Sequence, residues 1–232
     1  MNKISIAATT YNRFETTIKC IEKIKDDDRV SDILILDDCS TDGSYERLVD
    51  YYEGDRKVLV MKQISNRGMQ QNKFDAISYS KNEWVALFDS DNEFDSGYLD
   101  ALFREVPTPE ADTIYAPMRA LPNFIYDDFA GRLITKEKVK EYVGKGFFGA
   151  LINTSNYVVN KSFYLDTYIY NPLVKGVDTA NHFYNHIKAG GKFYVVPNME
   201  YKHAISPDSE FMKDVHYNMA NAMEIEKKLL EL

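Results

Sequence analysis

The chain has 232 residues, 44% hydrophobic and 28% charged, which is the balance of a folded protein able to bury one sizeable α/β core or two closely packed halves. A net charge of −8 argues against a general nucleic-acid binder, which needs a basic face to displace phosphate counterions. The longest apolar run, residues 147–152, is far too short to span a bilayer. The first strand begins at Ile4, which leaves no room for a signal peptide, and Cys20 and Cys39 lack metal-type spacing, so the expected compartment is a reducing cytosol.

In chain order the pattern alternates. Residues 4–8 read as a strand, and Phe14, Ile18, Ile21 and Ile24 then recur at helical spacing. Residues 33–36 are a second strand, followed by a turn-rich stretch and a helix carrying Tyr45, Leu48, Val49 and Tyr52. A third strand covers 58–61, a helix about 70–80 points Phe74 and Ile77 inward, and a fourth strand starts at Trp84. Such alternation predicts parallel β-α-β units in a doubly wound sheet. After about Glu105 the pattern loosens: Pro107, Pro109, Pro117 and Pro122 break the chain, and 119–154 resists assignment. Beyond it we expect a strand near 157–159, a helix over 178–188, a strand at 193–196 and a final helix from about Pro207. The division expected is a nucleotide-binding half, 1–105, and an irregular half, 106–232, able to shape a second substrate site, within one domain.

Function is read from what ends each strand. In Asp89-Ser90-Asp91 two carboxylates follow a buried strand one residue apart, at the edge where open α/β sheets place ligands. They ask for a counter-cation, for which a hard divalent metal shared with phosphate is the natural occupant; the plain alternative is a solvated acidic turn. Strand one ends in Thr9, Tyr11 and Arg13, strand two in Asp37 and Asp38, and strand three in Asn66, Arg67 and Gly68. Together these offer an aromatic face, a carboxylate for base or ribose hydroxyls, and basic groups for a diphosphate. No Walker A loop and no Gly-x-Gly-x-x-Gly is present, against ATPase and dinucleotide dehydrogenase readings.

These residues resemble the inverting family 2 glycosyltransferases of the GT-A fold. Asp37-Asp38-Cys39-Ser40-Thr41-Asp42-Gly43-Ser44 is very similar to the family's Asp-Asp-x-Ser-Thr-Asp-Gly-Ser segment, Tyr11-Asn12 looks like its opening loop, and Asn66-Arg67-Gly68 resembles its Asn-x-Gly step. Asp89-Ser90-Asp91 falls where its metal-binding Asp-x-Asp belongs, and residues 4 to about 100 match in order. The second half matches thinly: Thr154-Ser155-Asn156 resembles the start of a family strand, Asp178 sits where the family's base follows a Glu that is absent here, and His203 resembles a late metal ligand. The family's Ala-Arg-Asn is replaced by Gln71-Asn72-Lys73, so Lys73 stands in for the phosphate-side charge.

The resemblance implies a mixed, mostly parallel central sheet flanked by helices, with an irregular acceptor side. It implies transfer of a sugar from a nucleotide diphosphate donor, a UDP-sugar favoured, to a hydroxyl of a glycan or lipid-linked glycan. Donor contacts would come from Thr9, Tyr11, Arg13, Asp38, Asn66, Gly68, Lys73, Asp89 and Ser90; Mn²⁺ or Mg²⁺ from Asp91, Asp89 and His203; proton abstraction from Asp178. Asp178 reads equally as an N-cap of its helix, Asp42 as a cap of the helix at Ser44, His203 as a structural residue, and Asp127 and Asp128 as a reserve base pair. The apolar stripe of the last helix fits packing on the domain, with a homodimer seam or an inner-membrane surface contact as alternatives. A nucleotidyltransferase making nucleotide sugars, or a non-catalytic nucleotide-sugar-binding module, are the rival classes.

Overall fold

A computed structural model describes residues 2–205 and 209–232; Pro207, where the final helix was expected to begin, lies outside them. The elements are β1 (Ile4–Thr10), α1 (Phe14–Glu22), β2 (Val30–Asp37), α2 (Ser44–Tyr51), β3 (Val58–Lys62), α3 (Met69–Tyr79), β4 (Trp84–Asp89) and α4 (Ser96–Glu105). They continue as β5 (Thr113–Leu121), β6 (Phe124–Ile125), β7 (Leu133–Ile134), α5 (Phe148–Ile152), β8 (Val158–Asn160), α6 (Lys161–Thr167), α7 (Asp178–Lys188), β9 (Lys192–Lys202), α8 (Glu210–Lys213) and α9 (Val215–Leu230).

One nine-stranded sheet runs β3-β2-β1-β4-β8-β5-β9-β7, with β6 on the side of β5. The pairs β2–β3, β1–β2, β1–β4 and β5–β9 are parallel, whereas β8 is antiparallel to both β4 and β5. The sheet is therefore mixed and mostly parallel. β8 enters from late in the chain and joins the two halves into one surface. Every residue of β1 is buried, because helices cover both faces of this central strand. The core accordingly divides by sheet face. Ile4, Ile6, Ile21, Leu48, Phe88 and Leu99 pack on one side, and Leu34, Leu36, Ile77, Leu87, Phe183 and Leu229 on the other.

Three elements differ from the sequence expectation. Pro117 does not break the chain: it sits inside β5, beside a register irregularity between Pro117 and Arg119, and a bulge tolerates a residue without an N–H. β9 runs to Lys202, beyond the apolar stretch 193–196, because its later polar residues still pair with β5. Only part of the last helix's stripe is covered: Ile225 and Leu229 are buried, while Met219, Met223 and Leu230 are exposed.

Parallel registers bring the polar strand ends to one edge. Thr9 lies opposite Asp89, and Thr10 opposite Asp37. At the end of β3, Gly68 precedes α3 with φ of +80°, a conformation that costs glycine nothing and strains other residues.

Candidate active site

At this edge lies a cavity of about 810 Å³, within the range of small-molecule sites. Its walls include all the residues expected for donor, metal and base: Thr9, Tyr11, Arg13, Asp38, Asn66, Gly68, Lys73, Asp89, Ser90, Asp91, Asp178 and His203.

The loops are tied to one another before any ligand arrives. Asp38 accepts from Arg67 N at 2.7 Å and from Gly68 N at 2.9 Å, so the strand-two carboxylate holds the strand-three loop. Burial pushes the Asp38 carboxyl above its ordinary range, and the two N–H groups oppose that. Asn12, at φ of +53°, bridges the first and second loops: its N donates to Ser40 Oγ at 2.7 Å and its Oδ1 accepts from Thr41 N at 2.9 Å. Asp42 accepts from Ser44 N at 2.9 Å at the start of α2, but the N-cap position itself belongs to Gly43, without a side-chain cap. Tyr11 keeps 41% of its surface exposed at the cavity mouth, free to lie against a flat ligand.

Beside Asp89 the charges form a cluster. The Lys73 ammonium is 3.3 Å from Asp178 Oδ2 and 3.5 Å from Asp89 Oδ1, and it donates to Ser155 Oγ at 2.7 Å. Ser155 Oγ in turn meets Thr179 Oγ1 at 2.9 Å. Burial alone would push Lys73 down, but Asp178 and Asp89 outweigh it and hold the ammonium above its ordinary range. Burial raises the Asp178 carboxyl, with Lys73 opposing. Asp178 is the first helical residue of α7; the N-cap position belongs to Val177, without a side-chain cap. The capping alternative for Asp178 is thereby removed.

On the other side Arg13 pairs with Asp91. Burial, reinforced by Asp89, raises the Asp91 carboxyl, and Arg13 opposes it. The Asp-x-Asp turn is fastened to the end of β9: Glu93 N donates to Lys202 O at 3.0 Å, Lys202 N to Glu93 O at 2.9 Å, and Ala204 N to Asn92 Oδ1 at 3.1 Å. His203 is carried to the same cavity by this tie. Its Nδ1–H donates to Asn123 Oδ1 at 2.8 Å, which leaves the Nε2 lone pair for another partner, and burial lowers its pKa, which favours the neutral ring. Ser90 Oγ is buried and finds no partner among the described residues.

A divalent cation at this edge would need a diphosphate to complete its ligands, since Asp91 is paired with Arg13 and Asp89 faces Lys73. Among the described residues, four carboxylates of the cavity (Asp38, Asp89, Asp91, Asp178) face three cationic side chains (Arg13, Lys73, Lys213), before a diphosphate adds its own negative charge. Among the described residues no three His, Cys, Asp or Glu side chains are grouped closely enough to hold a metal ion, so the expected trio Asp89, Asp91 and His203 does not form a metal site by itself. Carboxylate oxygens and a neutral imidazole nitrogen are the donors a hard or borderline cation takes together with phosphate oxygen.

The reserve pair lies elsewhere. Asp127 is exposed and makes a two-pronged pair with Arg119, both contacts 2.9 Å, and Asp128 lines a separate cavity with Arg132 and Lys145. The sequence pattern gave no site role to Asn12, Ser155, Asn156, Thr179 and Asn123. Asn156, at φ of +69°, accepts from Asp89 N at 2.8 Å and so sets the turn of the acidic motif. An asparagine just ahead of a strand was the available signal, because asparagine tolerates the left-handed region.

Residues 5–150 match the family model "Glycosyl transferase family 2". The chain is 30% identical over 112 residues to Glycosyltransferase GlyG of Streptococcus pneumoniae serotype 4, covering 48% of this chain and 37% of that protein. It is 28% identical over 150 residues to the GalNAc(5)-diNAcBac-PP-undecaprenol beta-1,3-glucosyltransferase of Campylobacter jejuni, covering 63% and 44%. The chain thus spans less than half the length of these curated relatives. In shape it is similar to S. aureus TarS 1-349 in complex with UDP, with a TM-score of 0.70 at 16% identity over 98% of this chain and 65% of that one. The UDP-GlcNAc complex of TarS gives 0.71 at 16% identity over 98% and 70%. A GT-A arrangement of the sheet and a family match over more than half the chain lead to one statement: the chain belongs to glycosyl transferase family 2.

Proposed function

We propose that this chain transfers a sugar, with inversion, from a nucleotide diphosphate donor to a hydroxyl of a glycan or lipid-linked glycan. A UDP-sugar is the favoured donor, since the TarS structures similar in fold hold UDP and UDP-GlcNAc. The observation that carries the reading is Asp178: a buried carboxylate in the cavity wall, 3.3 Å from the Lys73 ammonium that also faces Asp89. The donor base lies against Tyr11, with Asp38 and the loop it holds meeting base and ribose. Arg13 and Ser90 Oγ face the diphosphate. Asp91, Asp89 and His203 would hold Mn²⁺ or Mg²⁺, which when bound neutralises the charge of the departing nucleoside diphosphate. Asp178 accepts the proton of the incoming hydroxyl, a task for which a carboxyl raised by burial is better suited than an ordinary one. Lys73 keeps that carboxyl oriented. Inversion in one displacement needs no covalent intermediate, and no Ser or Cys nucleophile is assigned.

A thermal-shift panel of UDP-, GDP-, dTDP- and CDP-sugars, with and without Mn²⁺, tests the reading. Binding at about a hundred times Kd stabilises a fold by roughly 2.7 kcal/mol, a visible shift in Tm. We expect a UDP-sugar to stabilise the chain with Mn²⁺ present, and Asp91→Ala to abolish that shift. A panel without any stabilising nucleotide sugar, or an Asp91→Ala variant that responds like the parent, would contradict it.

A further inference from the structure

Asp178 follows a short 3₁₀ turn, Lys175–Val177, and the chain leading into it is held from two sides. Gly176, in the middle of that turn, is buried and has no side chain to anchor it. Its N–H donates to Asn218 Oδ1 at 3.3 Å, and its carbonyl accepts from Asn153 Nδ2, also at 3.3 Å. Asn218, in α9 and 2% exposed, donates through Nδ2 to Phe211 O at 3.1 Å, which ties α8 into the same knot. Asn153, just after α5, accepts through Oδ1 from Ala180 N at 3.3 Å and so joins the turn to the start of α7. Two more side chains of α9 hold the chain just upstream: Tyr217 Oη donates to Leu173 O at 2.8 Å, and Asn221 Nδ2 to the same oxygen at 3.3 Å. Gly176 is the only residue that fits under Asn218. A Cβ there would lie 2.4 Å from Asn218 Nδ2 and 2.6 Å from its Cγ.

A helix that only packed on the domain would carry an apolar residue at 218, on the same buried face as Ile225 and Leu229. A buried amide is costly unless its polar atoms are bonded, and those of Asn218 are bonded to backbone two residues from Asp178. The family match ends at residue 150, so this helix and the turn it holds lie beyond it. We propose that Asn218 is a positioning residue: through Gly176 it sets the Asp178 carboxylate against the Lys73 ammonium, so that α9 decides where the proton acceptor stands. The catalytic consequence rests on Asp178 accepting the proton in the transfer proposed above. Small movements matter here. The Lys73–Asp178 separation is 3.3 Å, and Coulomb attraction at that range falls by roughly a quarter when a pair opens by about 1 Å.

Carboxyl ¹³C NMR of aspartate-labelled protein at pH 7 tests the geometry without any substrate. Asp178→Asn identifies the Asp178 signal, and the exposed Asp127, identified in the same way, is the reference. In Asn218→Ala the Asp178 signal should move while that of Asp127 stays. The Gly176 amide should exchange with solvent at least about fivefold faster, the worth of one ordinary hydrogen bond. Asn221→Ala removes a bond of the same helix to Leu173 O and should leave the Asp178 signal in place. If the alanine variant does not fold, Asn218→Ser serves, since its hydroxyl is too short to reach both Gly176 N and Phe211 O. A folded 218 variant with lowered Tm and an unmoved Asp178 signal would overturn the proposal, because Asn218 would then only hold α9 in place. Transfer by Asn218→Ala should slow at least about tenfold, within the roughly 10²-fold that an ångström of misplacement costs. UDP with Mn²⁺ should bind it as it binds the parent in isothermal titration, since Asn218 is not in the cavity wall. If Asp178→Asn is slow and a 218 variant with a moved Asp178 signal still transfers at the parental rate, positioning is overturned. If Asp178→Asn itself transfers at the parental rate while Asn218→Ala moves the Asp178 signal, the base assignment falls and the hold of α9 on Asp178 stands.

Discussion

Lys73 is 3% exposed in its side chain and faces two carboxylates, Asp89 and Asp178. Removing one partner of a buried ionic cluster leaves the others unneutralised, which typically costs about 3–5 kcal/mol. Lys73→Met should therefore lower unfolding stability by that order in denaturant titration; a loss below about 1 kcal/mol would mean the three groups are not coupled. Asp38 joins ligand binding to loop geometry through its bonds to Arg67 N and Gly68 N. Asp38→Ala should weaken UDP and a UDP-sugar by the same factor, about ten- to a hundredfold, the worth of a hydrogen bond to a charged group. Isothermal titration showing loss for the sugar donor only would contradict this role. At this scale the strand-end acids were legible through their company: Asp89-Ser90-Asp91 alone reads as well as a solvated acidic turn, and the polar ends of the three earlier strands favoured a site. The burial of Lys73 was not, since its partners Asp178 and Ser155 lie about a hundred residues away in the chain.

Among the elements, α7 illustrates what periodicity shows and what it hides. Its bounds, Asp178–Lys188, are those its pattern predicts. Its two histidines are core residues, which only the packing reveals. His186 donates Nε2–H to Asp112 O and Lys192 O, both at 3.0 Å, and burial lowers its pKa to about 4. His182 lies among Tyr157, Tyr164 and Tyr168 and is lowered further by burial. The unfolded chain, with histidine near 6.5, binds these protons first as pH falls. The stabilisation is whole above about pH 6.5 and is lost as pH falls toward 4, at about 1.4 kcal/mol per pH unit for each histidine. Denaturant titrations at pH 7 and pH 5 should show the advantage of the parent over His186→Gln shrinking by roughly 2 kcal/mol. An advantage independent of pH would contradict the buried neutral ring. β5 was hidden for a different reason: Pro117 is a breaker in most strands, and only the neighbouring bulge admits it.

For the molecule as a whole, the donor side was legible because its motifs are short, local and sit at successive strand ends of parallel pairs. The rest of the cavity wall is assembled from α5, α7, α8, α9 and the end of β9, segments whose encounter no local pattern encodes. β8 is the pivot. Inserted between β4 and β5, it sets Asn156 under the acidic turn and Ser155 against Lys73, and so fixes the Lys73–Asp178 pair relative to Asp89. No helix among the described residues is long and apolar enough to cross a membrane.

The account turns on the proton acceptor, and Asp178→Asn tests it most directly. Asn keeps the shape of the side chain and cannot take a proton at neutral pH. With the parent's donor and acceptor, the variant should fold, bind donor with near-parental affinity, and transfer sugar at least about 10²-fold more slowly, the low end for losing a general base. A folded, donor-binding Asp178→Asn that transfers at the parental rate would contradict the central claim.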